Sequence, residues 1–298
     1  MPLEDYIIHV FCLIDDFYKA VQQEHKIRKS GFAPLLKDSE LISMLIVGEF
    51  IGIHDNKKIW LDFKSNYVHL FPNLNSVKYK IFNKQATNLW HIIRIIHSKL
   101  LDKIGNWNLY LADGFPVSVC HYARANRSTL FEDKVSFGYC SAKKEKYYGF
   151  KVLLITTEHG IPVDYVIDAA NIDERELLLK ANIPSGSVAI ADKGFIGHEF
   201  SNNLRQSSGV EIITPKRSNM FEQLPKYITK TICKIRKRIE TAISQLVNTF
   251  DIATVKSRSF HGFLGKINRK ILAYTTALYF NYQIVKDQFT QLELLIQA

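Results

Sequence analysis

The chain has 298 residues, 47% of them hydrophobic, and a net charge of +10, a composition that can bury a full core and suits a globular protein of one large domain with a smaller accessory one. Cys12, Cys120, Cys140 and Cys233 lie far apart, so neither a disulfide framework nor a paired-cysteine zinc site is expected, and a reducing cytoplasm fits best. The most apolar segment, Leu41 to Ile53, is interrupted by Glu49 and too short to span a bilayer, and Glu4 and Asp5 stand where an export signal would be basic, so no membrane role is expected.

In chain order, residues 1–105 read as an all-helical N-terminal domain. Tyr6 to Val21 carries apolar residues at three- and four-residue spacing, and Asp38 or Ser39 can cap a helix running to Gly48 or beyond. Pro72 and Asn73-Leu74-Asn75 break the chain before a long helical stretch from Ser76 to Lys103, with Leu89, Ile92, Ile93, Ile96, Leu100 and Leu101 on one side. The pattern suits a helix-turn-helix module with Lys78, Lys80 and Lys84 as phosphate contacts, and equally a helical bundle with no DNA role.

From Asn106 the period changes to that of strands. Leu109 to Ala112, Tyr148 to Thr157 and Val163 to Ala169 are three, with His159-Gly160 turning the chain between the last two. Asp173 caps a helix through Ala181, Ser187 to Ala191 is a fourth strand, His198 to Gln206 a helix and Val210 to Thr214 a fifth strand. This order predicts an α/β fold: a ribonuclease-H-like mixed five-stranded sheet with flanking helices, assigned with the C-terminal helices to residues 106–298.

Three acids stand out in that frame. Asp113 and Asp192 follow apolar runs that read as buried strands and are expected side by side. Glu240 borders a helical stripe of Ile232, Ile235, Ile239, Ala242, Ile243, Leu246 and Phe250. Such a set of hard oxygens suits Mg²⁺ and metal-assisted phosphodiester cleavage. Glu240 also lies one turn after Arg236, and an ordinary surface ion pair would explain a lone glutamate there. The charge distribution favours the site: residues 215–270 hold thirteen Lys or Arg against Glu222, Glu240 and Asp251, which accounts for the whole net charge. A polyanion approaching Glu240 is the expected partner.

The residues around these acids form an ordered series: Asp113-Gly-Phe-Pro, Cys120-His121, Gly138 through Tyr148-Gly149-Phe150-Lys151, Asn171-Ile172-Asp173, Asp192-Lys193-Gly194-Phe195, Thr214-Pro215-Lys216-Arg217-Ser218-Asn219-Met220, Arg238-Ile239-Glu240-Thr241, Gln245-Leu246 and Ser257-Arg258-Ser259. From about Leu109 to Tyr274 the chain resembles DDE transposases of bacterial insertion sequences, most closely those of the insertion-sequence-982 type. The acids are 79 and 48 residues apart, which leaves no room for a large inserted domain.

The resemblance implies that Asp113, Asp192 and Glu240 are the catalytic metal ligands. They would hold two Mg²⁺ ions roughly 4 Å apart, with Mn²⁺ able to substitute, one activating water or a DNA 3′-hydroxyl and the other stabilising the leaving oxygen. It implies double-stranded DNA as partner, both element ends and target, a homodimer on DNA, and a cytoplasmic protein at the nucleoid. Lys151, Lys193, Lys216, Arg217, Lys234, Arg236, Lys237, Arg238, Lys256 and Arg258 are the candidate DNA contacts. Where many relatives carry Tyr, Arg, Glu and Lys along the catalytic helix, this chain has Cys233, Arg236, Glu240 and Val247. The contact with terminal phosphates therefore differs in detail. Two other functions fit the same fold: a catalytically silent or domesticated regulator that holds ends without cutting, and a structure-selective nuclease needing no terminal repeat.

Overall fold

The computed structural model describes residues 1–28, 31–141, 144–216, 225–285 and 292. Helix α1 (Leu3–Glu24) buries Tyr6, Val10, Leu13, Ile14 and Val21 on one side, as their spacing requires. Helix α2 (Asp38–Phe50) is apolar nearly all round and lies inside the helical unit. Its start differs from expectation. The residue before it is Lys37, whose backbone N–H donates to Glu40 at 2.8 Å. Asp38 is not a cap but a buried acceptor for Tyr18, Arg28 and Gln85.

Helix α3 (Asn56–Asn66), capped by Asp55, leads through a short 3₁₀ turn at Pro72–Ser76 to α4 (Tyr79–Asn88) and α5 (Trp90–Ile104). The stretch read as one helix from Ser76 thus breaks at Leu89. Phe82, Gln85 and Ala86 of α4 face inward, while Lys80, Ile81, Lys84 and Asn88 are exposed.

The second unit is built on a mixed six-stranded sheet of ribonuclease-H-like form, made of β1 (Leu109–Ser118), β2 (Ser136–Cys140), β3 (Glu145–Thr157), β4 (Pro162–Ala169), β5 (Val188–Ile190) and β6 (Glu211–Ile213). Long β3 pairs antiparallel with β1 and also carries β2 and β4, whereas β1–β5–β6 is parallel. The expectation of five strands missed β2. That strand is short, half-exposed and interrupted by Gly138, so it presents no apolar run. Gly160, at φ +84°, makes the expected β3–β4 turn.

Alternation along β1 divides the core into two layers. Tyr110 and Ala112 pack with Leu153, Ile155 and residues of α6 (Glu174–Leu179) and α7 (His198–Ser208). Leu109 and Leu111 pack with Ile190 and with Ile232, Ile235 and Ile239 of α8 (Lys226–Asn248). Asp113, continuing the alternation, falls on the α8 side.

The long final helix, α9 (Phe260–Val285), packs with α2, α4 and α5 in the first unit, which comprises residues 1–105, 248–252 and those described from 256 onward. Sequence pattern alone assigns this helix to residues 106–298, whereas its contacts lie in the first unit. A buried ionic cluster accounts for its placement. Glu49 of α2, 0% exposed, accepts from Arg269 and, at 2.7 Å, from Lys270, while Arg269 also donates to Asn56 and to the His54 carbonyl. Two buried cations satisfied by α2, by the segment after it and, for Lys270, by the Phe250 carbonyl hold α9 to that side, since leaving either unpaired would be costly.

Candidate active site

Three elements bring their acids to one cleft. Tyr110 pairs with Ala189 and Leu111 with Ile190 in parallel register, so the same offset sets Asp113 beside Asp192. Asp113 lies within β1 rather than at its end. Pairing with β3 extends β1 to Ser118, but β5 stops at Ile190, so β1 has a free edge from Asp113 onward. Asp192 opens the 3₁₀ turn Lys193–Phe195. Ile232, Ile235, Ile239 and Ile243 seat α8 against Leu111 and Ile190, which turns Arg236 and Glu240 to the cleft.

The cleft holds about 600 Å³ and is lined by Asp113, Gly114, Lys151, Glu174, Asp192, Arg236 and Glu240, among others. At its centre is the Arg236 guanidinium, 3.2 Å from Asp192, 3.8 Å from Glu240 and 4.0 Å from Asp113. The one-turn ion pair between Arg236 and Glu240 is therefore present, but as part of a larger cluster. Only 13% of the arginine side chain is exposed, and its Nε is buried with no hydrogen-bond partner. Among the described residues, no three His, Cys, Asp or Glu side chains stand close enough to hold a metal ion as they are. Asp113, Asp192 and Glu240 nevertheless converge on a cation. That cation is an incompletely satisfied guanidinium, and the donor set around it is the all-oxygen type that suits a hard divalent ion.

Burial pushes the Asp113 carboxyl up to about 6, against the Gly114 N–H at 2.9 Å and the Arg236 charge, with Glu174 and Asp192 adding to the rise. Burial likewise raises Glu174, opposed by Lys151 and assisted by Asp173 and Asp192. The cleft thus concentrates negative charge in a partly desolvated place.

Of the basic candidates, Arg236 and Lys151 line the cleft. Lys151 donates to the Ile172 carbonyl at 2.8 Å, a structural tie. Lys234, Lys237 and Arg238 are exposed on α8, Lys193 is exposed beside Asp192, and Lys216 is half-buried beyond β6. Lys256 and Arg258 are exposed residues of the helical unit, and Arg217 lies outside the described residues.

Glu174 is not marked out by the sequence, which announces only Asp173 as the helix cap, and Asp173 does accept from the Arg175 N–H at 2.9 Å. An acid in the next position is ordinary at a helix start. Its one signal is the Asp-Gly pair at 113–114. A Cβ on Gly114 would fall 2.5 Å from Glu174 Oε1, so this glutamate lies against the strand edge next to Asp113.

No described helix is long and apolar enough to cross a membrane. A family model described as a transposase DDE domain matches residues 103–260, which contain every acid of the cleft. Among curated proteins and solved structures, nothing matches the chain.

Proposed function

The chain belongs to the transposase DDE-domain family, and on that premise we propose that it binds the terminal inverted repeats of an insertion sequence, cleaves phosphodiester bonds there and joins the freed 3′ ends to target DNA. The observation that carries the proposal is the convergence of Asp113, Asp192 and Glu240, from β1, the end of β5 and α8, on a single positive charge.

Asp113, Asp192 and Glu240 are the ligands we assign to two Mg²⁺ ions, with Mn²⁺ as substitute. When bound, these supply activation of the attacking water or 3′-hydroxyl and stabilisation of the leaving oxygen. Arg236 holds the carboxylates together beforehand and is then within the cleft to meet a phosphate oxygen. Lys193 beside Asp192, with Lys234, Lys237 and Arg238 on the open side of α8, supplies the positive surface along which the DNA backbone lies. The helical domain over residues 1–105 reads the ends, with α4 presenting Lys80, Ile81, Lys84 and Asn88 as a helix-turn-helix recognition helix would. A homodimer on paired ends and action at the nucleoid complete the reading.

The test is to take the DNA flanking the gene, identify inverted repeats, and incubate it with the protein and Mg²⁺. Cuts at the repeat boundary and joined products support transposition; cutting indifferent to the repeats points to a structure-selective nuclease. The ion-paired Arg236 favours one further reading, a regulator that holds ends without cutting them, and binding without any metal-dependent cleavage would establish it.

A further inference from the structure

The carboxylates assigned above all reach the cleft from one side of the sheet, the side on which α8 packs. Glu174 reaches it from the other. It is the first residue of α6, whose Leu177 and Leu178 pack on the opposite layer, and its carboxylate comes to the free edge of β1 over Gly114. The absence of a side chain at position 114 is what admits it. Any Cβ there would lie 2.5 Å from Oε1 and 2.9 Å from Cδ, so alanine would displace the carboxylate.

Among the described residues Glu174 has no hydrogen-bond or ion-pair partner, although it is half-buried. Lys151, the cation nearest in effect, spends its ammonium on the Ile172 carbonyl. A carboxylate brought without a partner to the side of Asp113 and within the field of Asp192 is repelled by both. Such an arrangement is costly in the empty cleft and becomes favourable only when a cation of high charge arrives.

We propose that Glu174 is a fourth carboxylate ligand for the divalent metal, completing from the α6 side the cluster that Asp113, Asp192 and Glu240 form from the α8 side. The inference rests on the assignment of those three acids as ligands. Gly114 then has a definite purpose: it is the opening through which the fourth ligand reaches the strand edge. Four carboxylates against Arg236 and Lys151 leave a net negative charge that two divalent ions would more than neutralise, which also explains why a cleft meant for DNA tolerates so many acids.

The experiment is Mn²⁺ titration of the full-length protein, reading free Mn²⁺ by electron paramagnetic resonance, with the melting temperature measured alongside. Glu174→Gln keeps the volume and the Asp173 cap. Gly114→Ala moves only the end of a flexible side chain and leaves Glu174 in the sequence. Both are expected to weaken Mn²⁺ binding roughly tenfold or more with no fall in the metal-free melting temperature, and Asp192→Asn is expected to weaken Mn²⁺ binding likewise. If Asp192→Asn loses Mn²⁺ while Glu174→Gln and Gly114→Ala bind as the wild type does, Glu174 is not a ligand and the three-acid assignment stands. If Asp192→Asn is also without effect, the assignment itself is wrong. A fall in metal-free stability for Glu174→Gln with unchanged Mn²⁺ affinity would give Glu174 a purely structural role and overturn the proposal.

Discussion

Arg236 Nη1 lies 3.2 Å from Asp192 Oδ1, although the two residues are 44 positions apart and belong to different elements. The same guanidinium faces Glu240 and Asp113, so one arginine screens three acids from one another. On the proposed ligand assignment, divalent ions and this guanidinium would compete for the same oxygens. Arg236→Gln should therefore lower the melting temperature of the metal-free protein and enlarge the rise in melting temperature on adding Ca²⁺. An equal rise in variant and wild type would mean that the arginine and the metal do not share ligands.

The exposed cations of α8 make a separate prediction. Each phosphate neutralised on duplex DNA contributes about 0.9 to the slope of log affinity against log salt. Replacing Lys234, Lys237 and Arg238 together with Gln should flatten that slope by roughly one unit per true contact. An unchanged slope, measured by titration across salt concentrations, would remove this face from the DNA path.

Helix α4 is expected to carry sequence preference, because its outward face combines Lys80 and Lys84 with Ile81 and Asn88. The full chain is the right object for the test, since α9 packs on α4 and a fragment ending near residue 105 would lose that neighbour. Lys80→Gln with Lys84→Gln should weaken binding to all DNA, and Asn88→Ala should narrow the gap between end and random DNA. Gel shifts in which Asn88→Ala discriminates as well as the wild type would place recognition elsewhere.

The ionic cluster of the helical unit gives a pH dependence. Burial acts to raise the Glu49 carboxyl, but Arg269, His54 and Lys270 outweigh it and hold the group down at about 2. A carboxylate depressed in the folded state stabilises at pH values above its ordinary range, and that stability is lost as pH falls from about 4.5 toward 2. Glu49→Gln leaves Arg269 and Lys270 buried without their counter-charge and should cost roughly 3–5 kcal/mol near neutrality. It should also flatten the acid limb of a stability–pH curve. A variant that melts like the wild type would show the cluster to be dispensable.

Much of the candidate cleft is legible in the sequence because its signals are local. Asp113 and Asp192 follow apolar strand runs, Glu240 borders a helical stripe, and Asp173 announces a cap. What depends on partners across the fold was not legible. The length of β1 comes from pairing with β3, and β2 is a strand only because β3 lies beside it. The break at Leu89 carries no proline or glycine to mark it. Asp38 looks like a cap until Tyr18, Arg28 and Gln85 close around it, and α9 is apolar enough to pack in either unit until Glu49 claims Arg269 and Lys270. Glu174, at the start of α6, is hidden for the same reason: its place depends on Gly114, sixty residues earlier, on β1.

On the proposed assignment, Asp113, Asp192 and Glu240 serve the chemistry while the basic residues supply the affinity. Cleavage of end-bearing DNA in Mg²⁺, measured beside end binding for Asp113→Asn, Asp192→Asn and Glu240→Gln, tests it most directly. Each variant is expected to shift the DNA as the wild type does and to yield no cut product. Substantial cutting by any one of them would remove that residue from the catalytic site and overturn the three-acid assignment.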